Sequence, residues 1–250
     1  MKILPLSEGS FTIDQSKKFV PFDTQKDDLL ERAKGSLLVE VQPFVVITSE
    51  DILLLDTGLG FQKEGRMQIH QNLMAHGINP SEVTKVLMTH LHKDHSGGIG
   101  LRRDGAEKEE LAFPYAQYYV QRKELEFAYE KGFPSYTTTE LDSLRNNPQV
   151  TLLDRDGVIS GYIKCQITGA HSPFHQVFWI VDGGMTVFFG GDDAPQLQQM
   201  KSRFVAKYDY DGRRCMELRQ EWWEKGRREG WHFLFYHDIS TPVYHQDMDL

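Results

Sequence analysis

A dense cluster of metal-binding residue types constrains this chain more than any other sequence feature. Residues 85–89 form a mainly apolar run that predicts a short strand, and residues 90–95 follow as His-Leu-His-Lys-Asp-His, before two glycines. Because side chains alternate along an extended chain, His90 and His92 are expected on the same side. The glycines allow the backbone to turn, and the turn can bring Asp94 and His95 to the same cavity.

Three imidazoles and one carboxylate suit zinc or another borderline divalent metal. The four donors are His90, His92, Asp94 and His95. One tetrahedral ion could not readily use all four from so short a span, so the spacing favours two ions side by side. A His-rich solvated loop is the alternative interpretation, but the full pattern with its two glycines is improbable by chance.

The composition narrows the class of protein. The 250 residues are 40% hydrophobic with a net charge of −8, and this acidic balance disfavours a nucleic-acid partner. Cys165 and Cys215 are the two cysteines, so neither a disulfide framework nor a thiolate zinc cluster is expected. No run approaches the roughly 18 apolar residues of a membrane helix, and the first residues lack the apolar core of a signal peptide. We therefore expect a cytoplasmic protein without a membrane partner.

Hydrophobic patterning predicts an α/β (α+β) chain that forms a single domain over residues 1–250. Strands are predicted at residues 36–48, 51–55, 85–89, 118–121, 150–153, 162–168, 177–181, 186–189 and 233–236, the first two as a hairpin. Helices are predicted at residues 67–76, 123–131 and 211–228. Two batches of strands, each accompanied by helices, favour two packed sheets with helices outside, an αββα sandwich.

The histidine-rich segment resembles the HxHxDH motif of the metallo-β-lactamase superfamily, and other landmarks of that family appear in order. They are Asp56-Thr57-Gly58 after an early strand, Gly169-Ala170-His171-Ser172-Pro173 as a third-histidine loop, Gly191-Asp192 after a strand, and Tyr236-His237-Asp238 ending the last strand. The resemblance implies the metallo-β-lactamase fold, an αββα sandwich of two mixed β-sheets flanked by helices.

The resemblance also implies a ligand set for two divalent ions. One ion would be held by His90, His92 and His171, the second by Asp94, His95 and His237, with Asp192 bridging them. Zn²⁺ is the expected metal, with Mn, Fe or Co as alternatives. Asp56 and Asp238 are candidates for hydrogen bonds to ligating histidines, with a strand-end turn as the alternative for each. Asp193 is expected to point away or cap a helix.

A metal-dependent hydrolase is the activity that the resemblance implies. A hydroxide shared by the two ions would be the nucleophile, and Asp94 and Asp192 would be the catalytic carboxylates, Asp94 also as a proton shuttle. Residues 119–126 and 191–196 resemble the branch that holds N-acyl-homoserine lactonases and phosphotriester hydrolases. A small ester or lactone is therefore the expected substrate. However, Pro195 stands where many of those lactonases have a tyrosine.

Several alternatives remain open at this stage. The same site could cleave a phosphotriester, a phosphodiester or a glyoxalase II-like thioester, and a non-catalytic metal-binding scaffold is a further reading. The branch resemblance also implies a homodimer. Trp222 and Trp223 on the predicted helix 211–228 could serve that interface, although an ordinary core helix explains them equally well.

Overall fold

A computed structural model describes residues 1–101 and 110–249. Its strands are β1 (Lys2–Pro5), β2 (Gly9–Ile13), β3 (Phe19–Pro21), β4 (Leu37–Val41), β5 (Phe44–Ile47), β6 (Ile52–Leu55), β7 (Gln62–Lys63), β8 (Arg66–Met67), β9 (Lys85–Leu87), β10 (Gly100–Leu101), β11 (Glu110–Leu111), β12 (Gln117–Gln121), β13 (Val150–Leu153), β14 (Gly157–Ile159), β15 (Ile163–Ile167), β16 (Gln176–Asp182), β17 (Met185–Phe189), β18 (Trp231–Leu234) and β19 (Val243–Tyr244). Its α-helices are α1 (Gln68–Ala75), α2 (Lys93–Ser96), α3 (Arg122–Lys131), α4 (Leu197–Met200) and α5 (Gly212–Glu229).

Two mixed six-stranded sheets organise this part of the chain. The first has the order β1-β5-β6-β9-β12-β13, with parallel pairing from β6 to β13 and antiparallel pairing before it. The second has the order β14-β15-β16-β17-β18-β19, and within it β17 and β18 are parallel. A small sheet, β3-β2-β4, brings the N-terminal segment alongside.

Alternating apolar side chains bury both faces of the central strands. On β6, Leu53 and Leu55 enter a core with Phe189 of the second sheet, whereas Leu54 faces the other way and joins the core of α1 and α3. On β17, Phe188 packs against Trp222 of α5, with ring centroids 4.9 Å apart. The layers are therefore helix, sheet, sheet, helix, which confirms the predicted αββα sandwich.

The main departure from the predicted elements lies in residues 36–48. This run divides at Gln42 and Pro43 into β4 and β5, which belong to different sheets. Proline lacks the N–H that a ladder needs, so the strand ends there. The predicted hairpin is confirmed between β5 and β6, where Phe44 pairs with Leu55. Sequence patterning did not predict the N-terminal strands β1 to β3.

The two tryptophans of α5 belong to the core of this chain. Trp222 is 3% exposed, and Trp223 packs on Phe233 and Tyr244. They therefore lend no support to the expected homodimer, which stays a prediction. No helix in the described ranges combines the length and apolar character that crossing a membrane requires.

Glu8 is a buried carboxylate that joins the turn after β1 to the loop after β6. Its Oε2 accepts a hydrogen bond from the Leu59 amide at 2.6 Å, and within the described residues its Oε1 has no partner. Gly58 has φ +76°, and a Cβ there would lie 2.5 Å from Glu8 Oε2, so only glycine fits this approach. Burial raises the pKa of Glu8 to about 7, although the Leu59 hydrogen bond opposes the rise.

Replacing Glu8 with Gln should remove a pH dependence of folding. The pKa of this carboxyl is near 4.5 in the unfolded chain and about 7 in the folded one, so folding favours its protonated form. The stability of the wild type therefore falls as pH rises through this window. Between pH 5 and pH 8 we expect wild type to lose on the order of 2 kcal/mol of unfolding free energy relative to Glu8→Gln.

Urea unfolding of the metal-free proteins at both pH values measures this difference. The exposed Glu221→Gln serves as the matched control and should track the wild type at both pH values. Equal pH dependence in wild type and Glu8→Gln would show that Glu8 does not titrate between them.

Candidate metal centre

The candidate ligands lie on loops that follow the carboxyl ends of four strands. Strand β9 leads into the histidine-rich segment and α2, β15 into the third-histidine loop, β17 into a 3₁₀ turn at Gly191–Asp193, and β18 into the last histidine. The structure brings together all seven predicted ligands: His90, His92, Asp94, His95, His171, Asp192 and His237. Six of them are buried, and His92 is half-buried.

The first group of donor atoms has the spacing of a metal coordination shell. Nδ1 of His92 lies 2.9 Å from Nε2 of His90 and 3.1 Å from Nε2 of His171. Oδ2 of Asp192 lies 3.2 Å from Nε2 of His171. A tetrahedral zinc ion with bonds near 2.05 Å would separate its donor atoms by about 3.3 Å. These four side chains therefore match the spacing that one ion requires.

The second group meets the other oxygen of the same aspartate. Oδ1 of Asp192 lies 3.0 Å from Nε2 of His95 and 3.1 Å from Nε2 of His237. Oδ2 of Asp94 lies 3.5 Å from the same nitrogen of His237. Asp192 thus presents one oxygen to each group, which is the arrangement of a bridging carboxylate.

Hydrogen bonding alone does not satisfy this cluster. Within the described residues, neither Nε2 of His95 nor Oδ1 of Asp192 has an aligned hydrogen-bond partner, although the two atoms are 3.0 Å apart and buried. An unsatisfied buried polar atom is costly. A cation between the two atoms would satisfy both, so the donor set fits a pair of divalent ions.

The electrostatics of the site also suit cations. Burial lowers the pKa of both His90 and His92, and neighbouring histidines lower it further, so these rings are neutral at pH 7 and keep a lone pair. Burial acts the same way on His95, but the carboxylates of Asp192 and Asp94 outweigh it and raise the pKa of that ring. A group of carboxylates that attracts protons in this way also attracts metal ions.

Asp56, expected beside the site, does hold a candidate ligand. Its Oδ2 lies 2.7 Å from Nδ1 of His95, and both of its oxygens accept hydrogen bonds from Thr89 at 2.7 Å. Such a partner fixes the orientation of a histidine and directs its other nitrogen inward. The aspartate therefore ties the loop after β6 to the histidine-rich segment.

Two further partners of the histidines were missed by the sequence analysis. Oδ1 of Asp209 lies 2.8 Å from Nδ1 of His171, and the backbone oxygen of Glu40 lies 2.6 Å from Nδ1 of His237. Asp209 follows no strand and belongs to no local motif, so only the fold reveals it. A backbone carbonyl carries no sequence signal at all.

The structure decides the alternatives for two other aspartates. Asp238 accepts hydrogen bonds from the amides of Leu197 and Thr241, so it belongs to the turn after the last strand, and the expected contact with a ligating histidine was wrong. Asp193 is fully buried, accepts the amide of His171 at 2.7 Å and lies 3.0 Å from Nδ1 of His175. It therefore points away from the candidate ligand groups, as expected, and supports the third-histidine loop.

Gly191 allows two of the ligand loops to approach each other. Its φ is +49°, and a Cβ at this position would lie 2.7 Å from Oγ1 of Thr89. Any larger residue would push the loop of Asp192 away from the histidine-rich segment. The glycine of the Gly191-Asp192 pair thus has a steric role, and its aspartate has an electrostatic one.

The sequence of residues 39–207 matches the model of the metallo-beta-lactamase superfamily. The chain belongs to this superfamily. The matched region contains six of the seven candidate ligands, and only His237 lies beyond it. Membership confirms the resemblance found in the sequence.

Curated relatives of this superfamily member include two N-acyl homoserine lactonases named AttM. The chain is 30% identical to the one from Azorhizobium caulinodans over 111 residues, which is 42% of this chain and 38% of the relative. It is 30% identical to the one from Agrobacterium fabrum over 117 residues, 43% of this chain and 40% of the relative. The matched segments thus span about two-fifths of these relatives.

Solved structures share the fold over nearly the whole chain. A probable metal-dependent hydrolase from Staphylococcus aureus has a TM-score of 0.75 at 22% identity, covering 98% of this chain and 91% of that one. AidC, a dizinc quorum-quenching lactonase in complex with a product, has a TM-score of 0.68 at 17% identity, with coverages of 97% and 89%. At these identities the likeness establishes the metallo-β-lactamase fold.

Replacing Asp192 with Ala should remove metal from both groups of ligands. The substitution deletes the carboxylate that faces both groups, so we expect fewer than one tightly bound ion per chain. Metal content after gel filtration, measured by plasma emission spectrometry, gives the count. His245→Ala, which changes a ring stacked on His232 in the C-terminal segment, should leave the count unchanged. Two retained ions in Asp192→Ala would refute the bridging role.

Proposed function

We propose that this chain is a hydrolase that binds two divalent cations, most readily Zn²⁺, and cleaves a small carboxylic ester or lactone. The observation that carries the proposal is the position of Asp192, whose two oxygens face two groups of donors about 3 Å away. The ligands of the first ion would be His90, His92 and His171. Those of the second would be Asp94, His95 and His237, with Asp192 shared.

Two such ions, when bound, supply a nucleophile from water near neutral pH and polarise the oxygen of the scissile bond. The chain's own residues orient and support this chemistry. Asp192 fixes the separation of the two ligand groups. Asp94 directs Oδ2 toward His237, which leaves its Oδ1 to pass a proton to the leaving alcohol.

Two aromatic side chains near the ligand-bearing segments support a substrate with an apolar part. The exposed ring of Phe133 lies 5.8 Å from Nζ of Lys93, which neighbours Asp94 in sequence. The ring of Tyr208 lies 6.2 Å from that of His171. Burial raises the pKa of Tyr208 to about 12, so its hydroxyl stays protonated at neutral pH and can donate to a carbonyl oxygen.

Pro195, which stands where many of those lactonases have a tyrosine, offers no hydroxyl but has a structural role. Its backbone oxygen accepts the amide of His237 at 3.0 Å and so helps place a candidate ligand. A lactone substrate would therefore need its carbonyl to be held by another group. Tyr208 is a phenol near the first ligand group that can take this role. The likeness to AttM lactonases over two-fifths of their length supports an ester or lactone substrate.

Hydrolysis of four substrate classes by the purified protein tests the proposal. The panel contains an N-acyl-homoserine lactone, a simple aryl ester, a phosphotriester and a thioester, each assayed before and after chelation and after Zn²⁺ is restored. We expect the lactone or aryl ester to be cleaved fastest, with activity lost on chelation and regained with metal. Preference for the phosphotriester or thioester would reassign the substrate class. Turnover that survives complete metal removal would contradict the proposal.

A further inference from the structure

Glu124 is a fully buried carboxylate on α3 whose hydrogen-bond donors are neutral. Its Oε2 accepts from the Ser172 hydroxyl at 2.8 Å. Its Oε1 accepts from the Leu91 amide at 3.2 Å and from the Tyr136 hydroxyl at 3.1 Å. Burying a carboxylate without a positively charged hydrogen-bond donor costs folding free energy, so its presence in the core points to a specific role.

Each of these donors adjoins a candidate ligand of the first group. Leu91 stands between His90 and His92 in sequence, and Ser172 follows His171 directly. These residues come from two loops on opposite sheets, one after β9 and one after β15. A single carboxylate therefore links the two loops that supply the three nitrogens of this group.

Tyr136, the third donor to Glu124, contacts the ring of His92. The other histidine ligands direct Nε2 into the cluster, and their Nδ1 atoms have outside partners in Thr89, Asp56, Asp209 and the Glu40 carbonyl. His92 is turned the other way, with Nδ1 in the cluster. Among the described residues, the ring other than a histidine that lies against His92 is that of Tyr136, with centroids 4.8 Å apart. The Tyr136 hydroxyl is in turn bound to Glu124.

We propose that Glu124 is the positioning residue for the first metal, holding His90, His92 and His171 so that their three nitrogens converge. This positioning role rests on the proposed function only in assuming that these nitrogens bind an ion. The carboxylate is placed by the start of α3, where the Gln121 side chain accepts the amide of Glu124 at 2.9 Å. Within the described residues, the hydrogen bonds of Glu124 lead to the first group alone, so its loss should weaken one ion and spare the other.

Co²⁺ titration of the metal-free full-length protein tests this selectivity, with visible absorption reporting the coordination of each ion. For Glu124→Ala we expect one ion to bind about 10–100-fold more weakly and the other to stay within about threefold of wild type. Glu124→Gln keeps a carbonyl oxygen for Leu91 and Tyr136, so it should recover most of the lost affinity. Glu126→Ala removes an exposed glutamate from the same helix and should match the wild type.

If Glu124→Ala does not fold, the less disruptive variant Tyr136→Phe tests the same role. Tyr136→Phe retains the ring against His92 and removes only its hydroxyl, and we expect a smaller weakening of the same ion. Wild-type affinity for both ions in folded Glu124→Ala, or equal weakening of both, would overturn the proposal. So would Glu124→Gln that binds no better than Glu124→Ala.

The outcomes also separate this proposal from that of hydrolysis. A wild type that binds two Co²⁺ ions but cleaves no substrate in the panel would sink the proposed function. Selective loss of one ion in Glu124→Ala would still support the positioning role in that case. A wild type that binds no Co²⁺ would overturn both.

Discussion

A carboxylate buried among imidazole rings is costly unless positive charge compensates it, and Asp192 is such a carboxylate. Nitrogens of His95, His171 and His237 lie within 3.0–3.2 Å of its two oxygens. These side chains belong to three separate loops. Bringing the loops together removes water from their polar groups, which costs free energy that the rest of the protein must offset. The rest of the molecule can be understood as the support for that arrangement.

The sandwich supplies the support at one end of its sheets. Central strands buried on both faces, such as β6 and β17, form a rigid frame, and the ligand loops leave from the ends of β9, β15, β17 and β18. Gly191 allows the loops after β9 and β17 to come into contact. Hydrogen-bond partners outside the ligand cluster, such as Asp56 and Asp209, then orient the histidine rings. Glu124 differs from the other partners because it serves two loops of one ligand group at once.

The sequence was informative where function is encoded in a local pattern. The histidine-rich segment and the αββα layers could be predicted from the sequence, because metal-binding residue types and strand alternation leave short-range traces. The seven-residue ligand set was predicted from the resemblance to the superfamily, since its members lie far apart in the sequence. Asp209 left no such trace, since its contact with His171 exists only after folding. The sequence left the role of Asp238 undecided, because its place beside His237 does not fix the direction of its side chain.

Anomalous X-ray diffraction from crystals of the Zn²⁺-loaded protein would locate the bound ions. We expect two peaks, one bonded to His90, His92 and His171, the other to Asp94, His95 and His237. Asp192 should lie between the peaks with one oxygen on each ion. A single peak, or two peaks that Asp192 does not bridge, would show that this carboxylate does not join two metal sites.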